Sequence, residues 1–214
     1  MSDRFYNVVV AIGRPAFWVS ARPVILGAHH AARPGPYLLA SNHLSPYDVP
    51  ALYRHTPRHL DFVSIVEVMR KPLVGWLFTH MNAFPLDRSR SDPRTVRIIL
   101  DRLARGRAVA MFPEGRIRKT EESVITGHPF RPGVGRIAKL AGVPIVPTVV
   151  WGMDAYARFA SWLPLRRVRY GVIYGEPIEP GDDDEARIEQ RLAEAFPKLW
   201  ERLREAMQAP QVSP

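Results

Sequence analysis

The chain has 214 residues, 46% of them apolar, a globular composition long enough for one domain with a substantial core. It contains no cysteine, which excludes disulfides, thiolate zinc sites, a cysteine nucleophile and an acyl-carrying cysteine. The formal net charge of +9, carried mostly by arginine, attracts phosphate, whether in nucleic acid, anionic lipid headgroups or a phosphorylated substrate.

Phe5–Gly27 comes nearest to the run of about 20 apolar residues that a membrane span requires, but Arg14, Pro15, Arg22 and Pro23 interrupt it. Its aromatic residues Phe5, Tyr6, Phe17 and Trp18 lie beside arginines. That mixture suits a segment lying in a membrane interface. A helix packed on the domain's own core fits the same pattern. The expected organisation is an N-terminal amphipathic membrane-interface segment over residues 1–35, then one domain over 36–214.

From residue 36 apolar runs alternate with helical patterns. Tyr37–Ser41 suits a buried strand, Asp48–His55 a helix and Asp61–Val66 a strand. Glu67–His80 has helical length, with Pro72 bending or restarting it. Ala83–Leu86 is a short strand. Pro93–Arg105 is a helix with Val96, Ile99, Leu100 and Leu103 on one face. Ala108–Phe112 is a strand, and Val134–Ala141 a helix closed by Gly142. Ile145–Val150 and Val168–Tyr174 are strands. Asp184–Met207 is a long amphipathic helix, with acidic residues at its positive end and a kink expected at Pro197. Strands alternating with helices predict an α/β domain whose sheet is largely parallel or mixed and flanked by helices. Sites in such sheets form beyond the carboxyl ends of the strands.

Four segments carry chemistry-bearing residues. In Ser41-Asn42-His43-Leu44-Ser45-Pro46-Tyr47-Asp48, His43 stands where a strand ends, and a turn through Ser45 and Pro46 can fold Asp48 back onto the imidazole. A carboxylate on one ring nitrogen leaves the other free as a base. A surface His beside a helix-capping Asp fits the same spacing. In Phe112-Pro113-Glu114-Gly115-Arg116, Glu114 is a second ionisable group at a strand exit, Gly115 permits a tight turn, and Arg116 and Arg118 add positive charge. A solvated ion pair is the plainer reading of Glu114. In Asn82-Ala83-Phe84-Pro85-Leu86-Asp87-Arg88, Arg88 is suited to clamp a phosphate, although an Asp-Arg pair opening a loop is commoner. Gly142-Val143-Pro144-Ile145-Val146-Pro147 brackets a β-branched pair with prolines and suits a structural wall.

These four blocks, in this order and over roughly residues 36–152, closely resemble the glycerolphosphate and lysophosphatidate acyltransferase family. Lys71–Trp76 and Phe130–Val134 are also similar to that family's connecting segments. The resemblance implies a glycerolphosphate acyltransferase-like fold, with His43 as general base and Asp48 as its orienting partner. It implies that Arg88 binds the acceptor's phosphate and that Glu114 and Gly115 help to hold the glycerol phosphate. It links Ile145, Val146 and Pro147 to acyl-chain or acceptor binding. The third block departs from the family pattern: Arg116 stands where a small hydroxyl residue usually follows the glycine, and a long cation there suits a second phosphate clamp or a different headgroup.

The expected reaction is transfer of a fatty acyl group from acyl-CoA or acyl carrier protein to the sn-2 hydroxyl of lysophosphatidate, giving phosphatidate. Glycerol 3-phosphate and a phosphoinositol-type glycolipid are alternative acceptors. The reaction needs no metal or cofactor. Trp76, within the apolar run Leu73–Phe84, is placed to line an acyl groove or touch lipid. The partners expected are the thioester donor, the lysolipid acceptor and an anionic membrane surface, with the protein peripheral on the cytoplasmic face of the cell membrane. A nucleic-acid-binding domain would explain the charge but leave His43, Asp48 and Glu114 without roles, and no motif of that class is present. A metal-dependent hydrolase would need His residues at ligand spacing from acidic ones, and the remaining six are not so placed.

Overall fold

The computed structural model describes residues 3–86, 93–163 and 167–209. Helix α1 spans Asp3–Ser20 and leads directly into strand β1, Ala21–Leu26. After the single turn α2 (Ala28–Ala31) come β2 (Tyr37–Ser41), α3 (Asp48–His55) and β3 (Leu60–Ile65). The helical stretch that follows is two helices, α4 (Val66–Met69) and α5 (Pro72–His80). Pro72 restarts the second at its first turn, where the missing N–H costs nothing. Then follow β4 (Phe84–Leu86), α6 (Pro93–Ala104), β5 (Ala108–Met111), α7 (Val134–Ala141), β6 (Ile145–Trp151), β7 (Val168–Tyr174) and α8 (Glu185–Gln208).

The strands form one seven-stranded sheet in the order β1-β7-β6-β2-β5-β3-β4. All neighbours are parallel except β6 and β7. The expected mixed sheet with flanking helices is therefore found. The carboxyl ends of β2, β3, β4, β5 and β6 share one edge, and β7 and β1 begin there.

β2 at the centre is buried along its whole length because both faces are covered. Its residues divide by alternation. Tyr37 and Leu39 face one apolar cluster with Ala51, Leu52, Tyr53, Tyr170 and Tyr174, against which α1 lays Phe5, Tyr6, Val9 and Val10. Leu38 and Ala40 face the other with Ile99, Leu103, Val134, Ile137 and the α8 residues Ile188, Leu192, Phe196, Leu199 and Leu203. Asp184 caps α8 by accepting the Arg187 N–H at 2.7 Å. Pro197 lies inside α8, which continues unbroken to Gln208. α8 packs closely on β7 because Gly171 has no side chain: a Cβ there would fall 2.5 Å from Leu203.

Strand β1 has no counterpart in the elements read from the sequence. It pairs in parallel with β7 over six residues, Ala21 opposite Val168 to Leu26 opposite Ile173. Arg22 and Pro23 break its apolar pattern, and β1 is an edge strand, where proline is tolerated.

Candidate active site

β2 ends at Ser41, and the chain leaves the sheet through Asn42. That residue is fully buried. Its side-chain amide donates to the Val150 carbonyl at 2.9 Å and its oxygen accepts the Val150 N–H at 2.8 Å, so the exit of β2 is bonded to β6. His43 follows. The turn through Ser45, with the Asp48 N–H on the Ser45 carbonyl at 3.1 Å, returns the chain so that α3 begins beside the imidazole. His43 Nδ1 lies 3.1 Å from Asp48 Oδ2, and the Leu44 and Ser45 N–H groups donate to the same oxygen at 2.8 Å each. Asp48 thus folds back on the loop, without a capping bond to its own helix.

The Asp48 side chain is 1% exposed, and its Oδ1 is buried with no partner among the described residues. Burial pushes its carboxyl above the usual range, opposed by the hydrogen bond and charge of His43 and by the two amide donors. With Nδ1 committed to Asp48, Nε2 is the ring nitrogen left to exchange a proton. The imidazole is itself 16% exposed and stacks on Phe112, ring centres 3.9 Å apart and 9° from parallel. Phe112 leaves β5 beside the end of β2, because β2 and β5 run parallel in register.

Glu114, two residues on, is 2% exposed. Its Oε2 accepts the His43 N–H at 2.6 Å and its Oε1 the Val124 N–H at 2.9 Å. The His43 carbonyl accepts the Arg118 N–H at 2.8 Å. Gly115 turns the chain at φ 68°, and a Cβ there would lie 3.2 Å from the Arg131 side chain. Beyond it lies a cavity of about 640 Å³ walled by Leu44, the residue after His43, by residues Arg116–Glu122 and by Asp154. Arg116, Arg118 and Lys119 bring positive charge to it, and Glu121, Glu122 and Asp154 bring as many carboxylates.

The structure therefore brings His43, Asp48, Glu114, Gly115 and Arg116 to one edge of the sheet. Arg116 reaches the cavity; Glu114 is engaged beneath it. Ile145 and Val146 are fully buried in the two core clusters, opposite Leu38 and Leu39 in the early part of β2. Pro147 lines a second cavity, of about 410 Å³, with Gly175, Ile178 and Leu199. The structure thus does not bring these three to His43. Trp76 is exposed on α5 and makes an edge contact with Phe5 of α1, ring centres 5.3 Å apart. Arg88 lies outside the described residues. Sequence reasoning missed the parts played by Asn42, Phe112 and Val124. A polar residue directly after an apolar strand was the one available signal for Asn42; nothing local marks the other two.

Residues 22–151 match the family described as Acyltransferase. A 1-acyl-sn-glycerol-3-phosphate acyltransferase from Bacillus subtilis is 25% identical over 149 residues, 70% of this chain and 69% of that protein. One from Limnanthes douglasii is 30% identical over 178 residues, covering 80% of this chain but 60% of the relative. The crystal structure of the 1-acyl-sn-glycerophosphate (LPA) acyltransferase PlsC from Thermotoga maritima superposes with a TM-score of 0.73 over 96% of this chain and 81% of that one, at 21% identity, a likeness of fold. The family match spans more than half of the chain and takes in His43, Asp48 and the loop that carries Glu114, so this protein belongs to the acyltransferase family that includes the 1-acyl-sn-glycerol-3-phosphate acyltransferases.

Proposed function

We propose that this protein transfers a fatty acyl group from acyl-CoA or acyl carrier protein to the sn-2 hydroxyl of lysophosphatidate, giving phosphatidate. The observation that carries the reading is the His43–Asp48 pair at 3.1 Å, whose Nε2 has no hydrogen-bond partner among the described residues, one residue along the chain from a cavity whose wall bears Arg116, Arg118 and Lys119 together with Glu121, Glu122 and Asp154. His43 Nε2 takes the hydroxyl proton as the oxygen attacks the thioester carbonyl. Asp48 stabilises the imidazolium formed. The tetrahedral intermediate collapses, the carbon–sulfur bond breaks, and the thiolate leaves with the proton from His43. Positioned general-base catalysis of this kind contributes roughly 100- to 10,000-fold. The cavity cations hold the acceptor phosphate, together with Arg88, whose part rests on the resemblance alone.

The substrates reside in a bilayer, and no helix among the described residues is long and apolar enough to cross one. The proposed contact with lipid is peripheral, on the cytoplasmic face of the membrane. It is supported by Val8 and Ile12 of α1 and Leu73, Val74 and Trp76 of α5, all exposed apolar side chains on two helices joined by the Phe5–Trp76 contact.

The test is to incubate the purified protein with palmitoyl-CoA and a panel of lysophosphatidate, glycerol 3-phosphate and phosphoinositol lipids, in excess chelator, and to identify products by mass. Phosphatidate is expected, and His43→Ala should reduce its formation at least about 100-fold. Product from glycerol 3-phosphate alone would move the acceptor, and none from any acceptor would refute the reading.

A further inference from the structure

We infer that Glu114 is a positioning residue, which sets the backbone of His43 with one carboxylate oxygen and anchors the acceptor-cavity wall with the other. This rests on the reading of His43 as the base. It departs from what the sequence resemblance implies for Glu114, a contact with glycerol phosphate.

The geometry leaves Glu114 no means of touching an acceptor. It is 2% exposed, and each oxygen already takes a backbone N–H, at 2.6 Å from His43 and 2.9 Å from Val124. A carboxylate oxygen accepts backbone N–H groups at such lengths, and two bonds from separate segments fix its orientation. The two donors come from different parts of the chain. His43 ends the loop after β2. Val124 begins the 3-10 turn Val124–Thr126, after the segment Arg116–Glu122 that walls the cavity. The bond from Glu114 to Val124 therefore closes a loop whose interior is the cavity wall. The same loop returns to His43, because the Arg118 N–H donates to the His43 carbonyl. Phe112, from the same block, lies flat under the imidazole. Ring, N–H and carbonyl of His43 are thus all held by residues 112–118, and the cations on that loop stand at a fixed offset from Nε2. Arg118 joins the two tasks, its backbone on His43 and its side chain on the cavity.

Two substitutions separate the arms. Glu114→Gln keeps the shape but has one acceptor oxygen, and its amide nitrogen must face a backbone N–H. Val124→Pro removes the Val124 donor and exchanges one buried apolar side chain for another. Proline fits there because Val124 is the first residue of its turn and Ser123 before it is extended, at φ −92° and ψ 160°. For whichever phosphate-bearing acceptor the wild type uses, Glu114→Gln should lower kcat roughly 100-fold, as a displacement of about 1 Å at the base would. Its acceptor KM should stay within about threefold. Val124→Pro should do the reverse, raising acceptor KM about tenfold with kcat nearly kept. Amide hydrogen exchange at His43 should quicken in Glu114→Gln and not in Val124→Pro, a readout independent of turnover. A Glu114→Gln enzyme with raised acceptor KM beside a Val124→Pro enzyme of wild-type KM would make Glu114 a ligand and overturn the inference; so would Glu114→Gln exchange unchanged at both His43 and Val124, or a Val124→Pro enzyme identical to wild type. Wild-type protein without transfer to any acceptor would instead defeat the functional reading, leaving the exchange result to judge the brace.

Discussion

At the scale of single residues, Asp48 is buried beside His43 at some cost to stability. One oxygen takes three donors while the other is buried with none among the described residues, and burial raises the carboxyl's affinity for a proton. An amide at that position can keep the N–H bonds but cannot offset an imidazolium. Asp48→Asn should therefore lower turnover about 1,000-fold or more, while the thermal midpoint stays level or rises. Kinetics and a melting curve on one preparation decide this, and activity within a few-fold of wild type would sink the dyad. His43 and Asp48 were legible in the sequence because their relation is local, five positions apart across a turn marked by Ser45 and Pro46. The bonds of Glu114 were not legible, since one partner is 71 positions away in the chain and both are backbone N–H groups, which have no sequence signature.

At the scale of elements, legibility followed the same rule. β2, α3, α7 and β7 have the limits expected from their apolar patterns and, for α7, from Gly142 at φ 61°. β1 escaped notice because what makes it a strand is β7, far along the chain, and because Pro23 blurs its alternation. Another long-range contact joins α3 to β7: His55 Nε2 lies 2.7 Å from the Tyr170 hydroxyl. Burial, with the nearby Arg54 charge adding to it, pushes the His55 pKa down from 6.5 to about 4. The folded protein holds His55 neutral, whereas the unfolded chain binds a proton below about pH 6.5. Its contribution is therefore complete above that pH and is lost as the pH falls toward 4, by up to about 2 kcal/mol at pH 5. Denaturant unfolding at pH 7.5 and 5 should show this extra loss in wild type and not in His55→Gln. Equal losses in both proteins would show that His55 is not its source.

At the scale of the whole molecule, charge and apolar surface would divide the work of the proposed lipid contact. The +9 charge attracts anionic headgroups, worth up to about 1 kcal/mol for each basic residue near the surface, and salt screens it. The exposed side chains of α1 and α5 should resist salt. Phe17 and Trp18, also expected to insert, have side chains outside the described residues. Sedimentation with anionic vesicles should fall in part as salt rises. The double variant Ile12→Ser and Leu73→Ser should lose mainly the salt-resistant remainder. Failure to sediment even at low salt would remove the membrane proposal and favour a soluble acceptor.

α1 is fastened at both ends. Arg107 grips Asp3 through two bonds of 2.9 and 3.0 Å and reaches the buried Asp61 at 2.6 Å, while Arg102 holds Asp61 at 2.7 Å. At the far end the Ser20 and Tyr156 hydroxyls lie 3.2 Å apart, and β1 enters the sheet at the next residue. A helix so tethered cannot swing independently of the strands that carry His43. With its outer face in the headgroup layer, α1 would act as a depth gauge, holding the imidazole at one height above the hydrocarbon. Acceptors would then be sorted by how far their free hydroxyl stands from the bilayer, a vertical criterion separate from the charge they carry.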